Sequence, residues 1–415
     1  MQLRDEFNPA RPLVMHIDLN SCFATVEQQS RPMLRYRPVA VVNRRTENTA
    51  IVTASYEAKR LGVSVGMKLR EAKKLAPDLV ALESDPAKYR YVYHKMMDIM
   101  KRYSAHITMK SIDEGIIDFK HTTKAIQERD LKDIGMEIKE RLKSEVGNYM
   151  RCNVGIATNR FLAKTAASLH KPDGLDVITH ENIPEVMASL KLTELTGIAH
   201  RYQKRLNAVG IYTPTDFLET DAVTLKKVVF KSVVGEWWYQ RLRGWEVDDV
   251  SYDLKTVGRQ YVLEERDMPR ERIIQRLHHL CESVGMRLRS QNKMARGVFV
   301  YAKSGHYPVK SYWHARHTSP MPFFSNAAIY TQALMLFSRA PVNIREIGVS
   351  CYALEAGRRD QLSLFGDEIA REQHLTDAID AINRRFGDRT IHSADTVGTG
   401  HFVKQKVPFG STRYL

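Results

Sequence analysis

Two adjacent carboxylates, Asp113 and Glu114, stand between the apolar runs Ala105 to Met109 and Ile116 to Phe119. Ile107, Met109, Ile112, Ile116, Ile117 and Phe119 supply strand-type residues, and Gly115 directly after the acids relaxes the backbone at a bend. The segment is expected to fold as a hairpin with the acids at its tip. Side-by-side carboxylates repel, so both ionise most easily when a hard, oxygen-seeking divalent cation lies between them, which points to Mg2+. An exposed acidic turn would show the same pair. A third carboxylate, Asp18, closes the apolar run Leu13 to Asp18 just before a helix start through Val26 and Glu27. It reads either as a ligand at a strand end or as a helix N-cap. Three acids converging on one sheet would hold two magnesium ions about 3.5 to 4 Å apart, the arrangement for in-line displacement at phosphorus.

The elements that must position these acids belong to a chain of 415 residues, too long for one core, so two to four domains are expected. A formal charge of +15 points to a phosphate-bearing polymer, with nucleic acid first. Cys22, Cys152, Cys281 and Cys351 lie far apart without CxxC spacing, which signals neither a zinc site nor a disulfide framework and suits a reducing cytoplasm. Residues 1 to 12 have no apolar core and no run reaches a membrane span, so the chain reads as cytoplasmic, neither exported nor embedded. Helices are expected over 69–76, 87–103, 122–146 and 228–242, and strands over 79–82 and 153–156. Arg160 and Lys164 read as solvated charges of a helix.

The pair HIDLNSCFA (16–24) and SIDEG (111–115) resembles the two metal-binding motifs of the Y-family (DinB/UmuC-type) lesion-bypass DNA polymerases. The resemblance implies an α+β multidomain fold, a right-hand polymerase with palm (1–37 and 84–182), small fingers (38–83), helical thumb (183–245) and α/β little finger (257–355). It makes Asp18, Asp113 and Glu114 the ligands of two Mg2+ ions, assisted by the Leu19 carbonyl, and Phe23 the steric gate beneath the incoming sugar. Read alone, Phe23 is a core residue, and Cys22 stands where relatives often carry an aromatic. The run AIVTASYEAK (50–59) matches the nucleotide-covering motif, with Thr53, Tyr56 and Lys59 as donors to the dNTP triphosphate. Many relatives have Arg where Lys59 stands, so this clamp is a point charge rather than a fork. VGIATNRFLAK followed by KPDG is similar to the last palm motif and gives Lys171 a phosphate-binding role. In the thumb, Gly197, Ala199 and Gly210 resemble a helix-hairpin-helix offering backbone amides to a DNA phosphate, with Ala199 replacing the usual glycine.

An acidic stretch at 246–256 reads as a tether. Beyond it a β-α-β-β-α-β order suits a four-stranded sheet with two helices on one face. Residues 255–355 hold 15 Lys and Arg against 7 Asp and Glu, so this region is the expected grip on primer-template DNA. His278, His279 and Cys281 do not read as a metal site, because adjacent histidines on a helix point to different faces. Gln361, Leu362, Leu364 and Phe365 resemble the peptide by which bacterial polymerases dock on the sliding clamp. The tail 356–415 otherwise contains one helix over 375–386 and carries no reading of function. The expected activity is template-directed, error-prone addition of dNTPs past damaged bases, without proofreading, since no further acidic cluster or extra length is left for an exonuclease. Both the DinB and UmuC branches stay open, the latter acting with a UmuD-like accessory subunit. A palm-type nucleotide cyclase and a non-catalytic DNA- and clamp-bound adaptor are the alternatives. Neither accounts for the acids, the hairpin, the basic domain and the clamp peptide together.

Overall fold

A computed structural model describes residues 3–250, 253–265, 267–305, 311–357 and 368–403. These residues form two compact units that meet in sequence after Val250, and each is described by itself. The clamp-like peptide 361–365 lies outside the described residues.

The first unit opens with strand β1 (Val14–Leu19) and helix α1 (Cys22–Ser30). A small sheet follows, built from β2 (Val39–Val42), β3 (Ile51–Ala54), α2 (Tyr56–Arg60), α3 (Leu69–Leu75) and β4 (Val80–Glu83) in the order β3-β2-β4. The chain then returns through α4 (Pro86–Lys101), β5 (Ile107–Met109), β6 (Glu114–Asp118), α5 (Lys124–Gln127), α6 (Leu131–Glu145), β7 (Cys152–Ala157), α7 (Arg160–Leu169) and β8 (Leu175–Val177). The sheet order β5-β6-β1-β7-β8 puts β1 at the centre, antiparallel to both neighbours. Alternation along each strand then decides which side chains share a face. Met15, Ile17, Leu19, Ile117, Val154 and Ile156 join the core beneath α4 and α6. Val14, Ile116 and Ala157 pack instead with Phe161, Leu162, Ala163 and Ala166 of α7. His16, Asp18, Glu114, Asp118, Asn153 and Gly155 alternate onto that second face.

Several expectations change here. Gly115 lies inside β6, opposite Ile17 and Met109, not at a bend. A Cβ there would stand 2.8 Å from both Met100 and Met109, so the glycine makes room for α4 and β5. The helix expected over 122–146 is broken, because Asp130 accepts the Lys132 amide at 2.8 Å and starts α6 anew. Five short helices follow: α8 (Ile183–Ser189), α9 (His200–Asn207), α10 (Pro214–Glu219), α11 (Ala222–Thr224) and α12 (Val234–Leu242). The helix expected from Val228 starts only at Val234, after a wide turn over Leu225–Val229 and Lys231 in a left-handed conformation. The acidic stretch after Trp245 is no free tether at its start, since Glu246 and Asp249 bind Arg160 and Asp248 binds Arg241.

The second unit comprises β9 (Thr256–Val262), α13 (Arg270–Ser290), β10 (Lys293–Ser304), β11 (Ser311–Phe323), α14 (Asn326–Phe337), β12 (Ile344–Ala356) and α15 (Glu368–Phe386). Its antiparallel sheet has the order β11-β10-β12-β9. Residues 380–403 are docked rather than loose. Arg289 of α13 binds Asp380 through two bonds of 2.7 and 2.8 Å, the Ser393 amide donates to Glu282 at 2.8 Å, and His278 pairs with Asp395 at 2.7 Å. His279 faces Thr399, so the two histidines serve this docking separately. All four cysteines are buried as free thiols. No helix of the described residues is long and apolar enough to cross a membrane.

Candidate active site

The hairpin forms as the sequence suggests: β5 pairs antiparallel with β6, and Asp113 occupies the turn immediately before Glu114. In the register of β1 with β6, Asp18 stands opposite Glu114, and the Leu19 amide donates to the Asp113 carbonyl at 2.8 Å. Asp18, Asp113 and Glu114 are thus brought to one end of the central sheet. Asp18 and Glu114 also offer ligand atoms within 4.8 Å of one another and of the buried His16 ring, the one such cluster among the described residues. Carboxylate oxygens dominate this donor set, which fits a hard divalent cation.

Charge around the acids is partly balanced by lysines. Lys171 Nζ lies 2.7 Å from Asp18 Oδ2, and Lys164 donates to Glu114. Burial alone would raise the Glu114 carboxyl, but hydrogen bonds from His16 and Lys164 outweigh it and hold the group down at about 2. Burial pushes Asp113 up, and the charges of Asp18 and Glu114 push it further, against a hydrogen bond from Ser111. His16 is itself lowered by burial, and its Nδ1 has no partner. Burial also raises the Cys22 thiol beside Asp113 and Asp18.

Arg160 and Lys164 correct the sequence reading. They lie four residues apart on α7, as Asp118 and Glu114 do on β6, so one helix face meets one strand face. Arg160 is only 8% exposed and reaches Asp118 at 3.6 Å, Glu246 at 3.0 Å and Asp249 at 2.7 Å. The sequence contained a signal, since both charges share the helix face that also carries small apolar residues.

The segment 50–59 approaches the same end. Ser55 caps α2, accepting the Ala58 amide at 3.3 Å, and Lys59 Nζ donates to Ser21 Oγ at 2.8 Å. Lys59 also lies 4.7 Å over the Tyr56 ring. Burial lowers Lys59, and Lys171 lowers it further. Burial raises the Tyr56 phenol, with Asp18 adding to it and Ser21 and Asn20 opposing. Thr53 is half-buried on β3. The turn carrying Lys171 is fastened by two asparagines to which the sequence assigns no part in the site. Asn20 Oδ1 accepts the Asp173 amide at 2.8 Å, and Asn20 donates to Asn153 at 2.9 Å. Asn153 in turn donates to the His170 carbonyl at 3.0 Å.

Phe23 lies in the first turn of α1, stacked on Tyr89 with centroids 4.1 Å apart and only 3% exposed. The hairpin glycines Gly197 and Gly210 both take positive φ, +99° and +85°, and Ala199 caps α9 on the exposed side of the buried Ile198. These three are not part of the carboxylate cluster.

A central sheet with three acids at one end, accompanied in the same unit by a small three-stranded sheet and a run of short helices, has the make-up of a palm of the nucleotidyltransferase type. The family model described as impB/mucB/samB matches residues 17–168, and that family's C-terminal domain matches residues 255–364. A relative named DNA polymerase IV from Pelotomaculum thermopropionicum is 32% identical over 404 residues, covering 95% of this chain and 97% of its own. That of Moorella thermoacetica is 32% identical over 396 residues, covering 92% and 95%. DNA polymerase IV 1 of Bacillus subtilis is 27% identical over 395 residues, covering 93% of each. A solved Y-family DNA polymerase chimera shares the fold with a TM-score of 0.68 at 23% identity, covering 82% of this chain and 98% of its own. The chain belongs to the impB/mucB/samB family of Y-family DNA polymerases, on its DinB-type side.

Proposed function

We propose that this chain extends a DNA primer with dNTPs opposite damaged template bases, using the carboxylates at the end of its central sheet. The observation that carries this reading is the convergence of Asp18, Asp113 and Glu114 with Lys171 and Lys59 beside them. Asp18, Asp113, Glu114 and the Leu19 carbonyl would hold two magnesium ions. Bound there, they would lower the charge cost of attack by the primer 3′-hydroxyl and of pyrophosphate departure. The remaining work belongs to side chains. Lys171 and Lys59 bring positive charge to the side where the triphosphate lies, and Tyr56 and Thr53 donate hydrogen bonds to its oxygens. Lys164 and His16 keep Glu114 ionised and fixed in direction. Phe23, backed by Tyr89, would meet the sugar at the position where a 2′-hydroxyl projects. In the thumb, the backbone around Gly197, Ala199 and Gly210 would bind a DNA phosphate, and the peptide at Gln361, Leu362, Leu364 and Phe365 would dock on the sliding clamp. Tethering of that kind raises the local concentration of a weakly bound enzyme at the primer end.

Primer extension by the purified chain on undamaged and abasic templates tests the reading. Synthesis on both is expected, with Asp113→Ala losing nucleotide addition while binding primer-template within about twofold of the parent. Normal turnover by Asp113→Ala would remove the carboxylates from the reaction.

A further inference from the structure

Beside the carboxylate end of the sheet lies a second cluster that the reaction above does not use. Tyr36 is 77% exposed and sits at φ +63°, a left-handed conformation that a bulky side chain enters at a cost. Its amide donates to Tyr149 Oη at 3.2 Å, and the two rings meet edge to face at 5.7 Å and 88°. The guanidiniums of Arg35 and Arg151 lie over the Tyr149 ring at 5.3 and 6.0 Å. Arg35 bonds Asn148 at 3.1 Å and leaves its Nε buried without a partner. Arg37 is exposed two residues away. Among the described residues none of the three arginines is paired with a carboxylate, and the nearby acid, Glu57, is taken by Tyr149 Oη at 3.1 Å and Gln28 at 3.1 Å.

The place of this cluster is set by hydrogen bonds. The Arg151 carbonyl accepts the Asn20 amide at 2.9 Å, and Glu57 follows Tyr56 on α2. In the sheet order, β7, which starts just after Arg151, lies on the opposite side of β1 from Asp113 and Glu114. Asn20 also accepts the Asp173 amide from the turn of Lys171, so the cluster adjoins the Lys171 side of the site. One exposed ring beside arginines that no carboxylate among the described residues neutralises matches one base and a run of phosphates, whereas a surface that tracks a strand repeats its aromatic platforms.

We propose that Tyr36, Tyr149, Arg35, Arg37 and Arg151 form an accessory site for a nucleoside triphosphate, with the base on Tyr36 and the phosphates on the guanidiniums. Nucleotide released there passes to the adjoining carboxylate site before it escapes to bulk solvent, which speeds its capture and so lowers KM without changing kcat. This inference rests on the polymerase reading and deepens it.

Photolabelling the full-length chain with 8-azido-dATP, followed by peptide mapping, tests it together with steady-state primer extension. Label is expected on the peptide bearing Tyr36 or the one bearing Tyr149. Tyr36→Gly suits the left-handed position and keeps the fold. It should lose about fivefold of that label and raise the dNTP KM about fivefold at unchanged kcat, equivalent to about 1 kcal/mol by RT ln 5. The double variant Arg35→Gln, Arg151→Gln should also flatten the salt dependence of that KM. Label confined to peptides of residues 53–59 or 160–171 overturns the accessory site, as does an unchanged KM in Tyr36→Gly. Label on Tyr36 that oligo(dT) or a polyglutamate peptide removes but unlabelled dATP does not would assign the patch to a strand or a protein, and overturns it too. If the unsubstituted chain extends no primer, the polymerase reading fails instead.

Discussion

Replacing Gly155 with alanine should disable the site through α7, which packs on the sheet face that Gly155 shares with Asp18 and Glu114. Gly155 lies in the middle of β7, and an added Cβ would stand 2.0 Å from the Ala163 carbonyl oxygen and 2.2 Å from the Ala167 amide nitrogen. Both atoms are backbone of α7, so no side chain can turn aside. Since real Cβ atoms stay at 3.0 Å or beyond, the helix must retreat by about 1 Å. That helix carries Lys164 on Glu114 and Arg160 on Asp118, and it leads into the turn of Lys171. A displacement of about 1 Å in groups that position a reaction costs on the order of a hundredfold in rate, and overpacking costs about 1 to 3 kcal/mol in stability. Single-turnover primer extension at saturating dNTP is the assay, with thermal melting to verify that the variant is folded. Gly400→Ala, where nothing lies within 4 Å of the added carbon, is the matched control and should leave the rate unchanged. A folded Gly155→Ala enzyme within about threefold of the parent rate would refute the claim that α7 positions the acids.

Three other outcomes follow from particular contacts. Phe23→Ala should lower the dNTP over rNTP preference in kcat/KM by at least about tenfold, and it should cost about 3 kcal/mol because the Tyr89 stack is lost; an unchanged ratio would confine Phe23 to the core. Asp380→Ala leaves the buried Arg289 guanidinium, among the described residues, with Phe324 O and Asn326 Oδ1, each at 3.0 Å. Breaking such a pair costs about 3 to 5 kcal/mol when fully buried, and about 2 kcal/mol here because Asp380 is partly exposed. Hydrogen exchange at the Ser393 amide should then speed up about thirtyfold while β1 and β7 stay protected, and unaltered exchange at Ser393 would show that the pair does not hold the segment. Burial, joined by the charges of Arg389, Arg259, Arg276 and His392, lowers His279 to about 2. The unfolded chain therefore takes up this proton first as pH falls below 6.5, and the second unit should lose about 2 kcal/mol between pH 7 and pH 5. His279→Gln should remove that part of the pH dependence in denaturant melts, and an identical pH profile would clear His279 of it.

What the sequence could show was local, and what it hid was the partner of each local feature. The acids at 113 and 114 were legible because strand-forming residues flank them, and Asp18 because an apolar run ends there. Arg160 and Lys164 were misread because a charge on a helix shows its spacing but not the strand it faces. Their acids, Asp118 and Glu114, sit more than forty residues earlier and meet them only once β6 pairs with β1 and α7 packs over both. Gly115 and Gly155 were obscure for the same reason. One reads as a turn residue and the other as an ordinary strand position until the thioethers of Met100 and Met109, or the backbone of α7, are known to press on them. Residues 380–403 looked like a tail because their polar, glycine-bearing composition lacks an apolar stripe. They are held by polar groups, and the signal lay in α13, where Arg276, His278, His279, Glu282 and Arg289 are too many buried polar residues for a helix facing only a sheet. A buried polar face needs polar partners, so such a helix in a chain of this family predicts that a later segment returns to cover it.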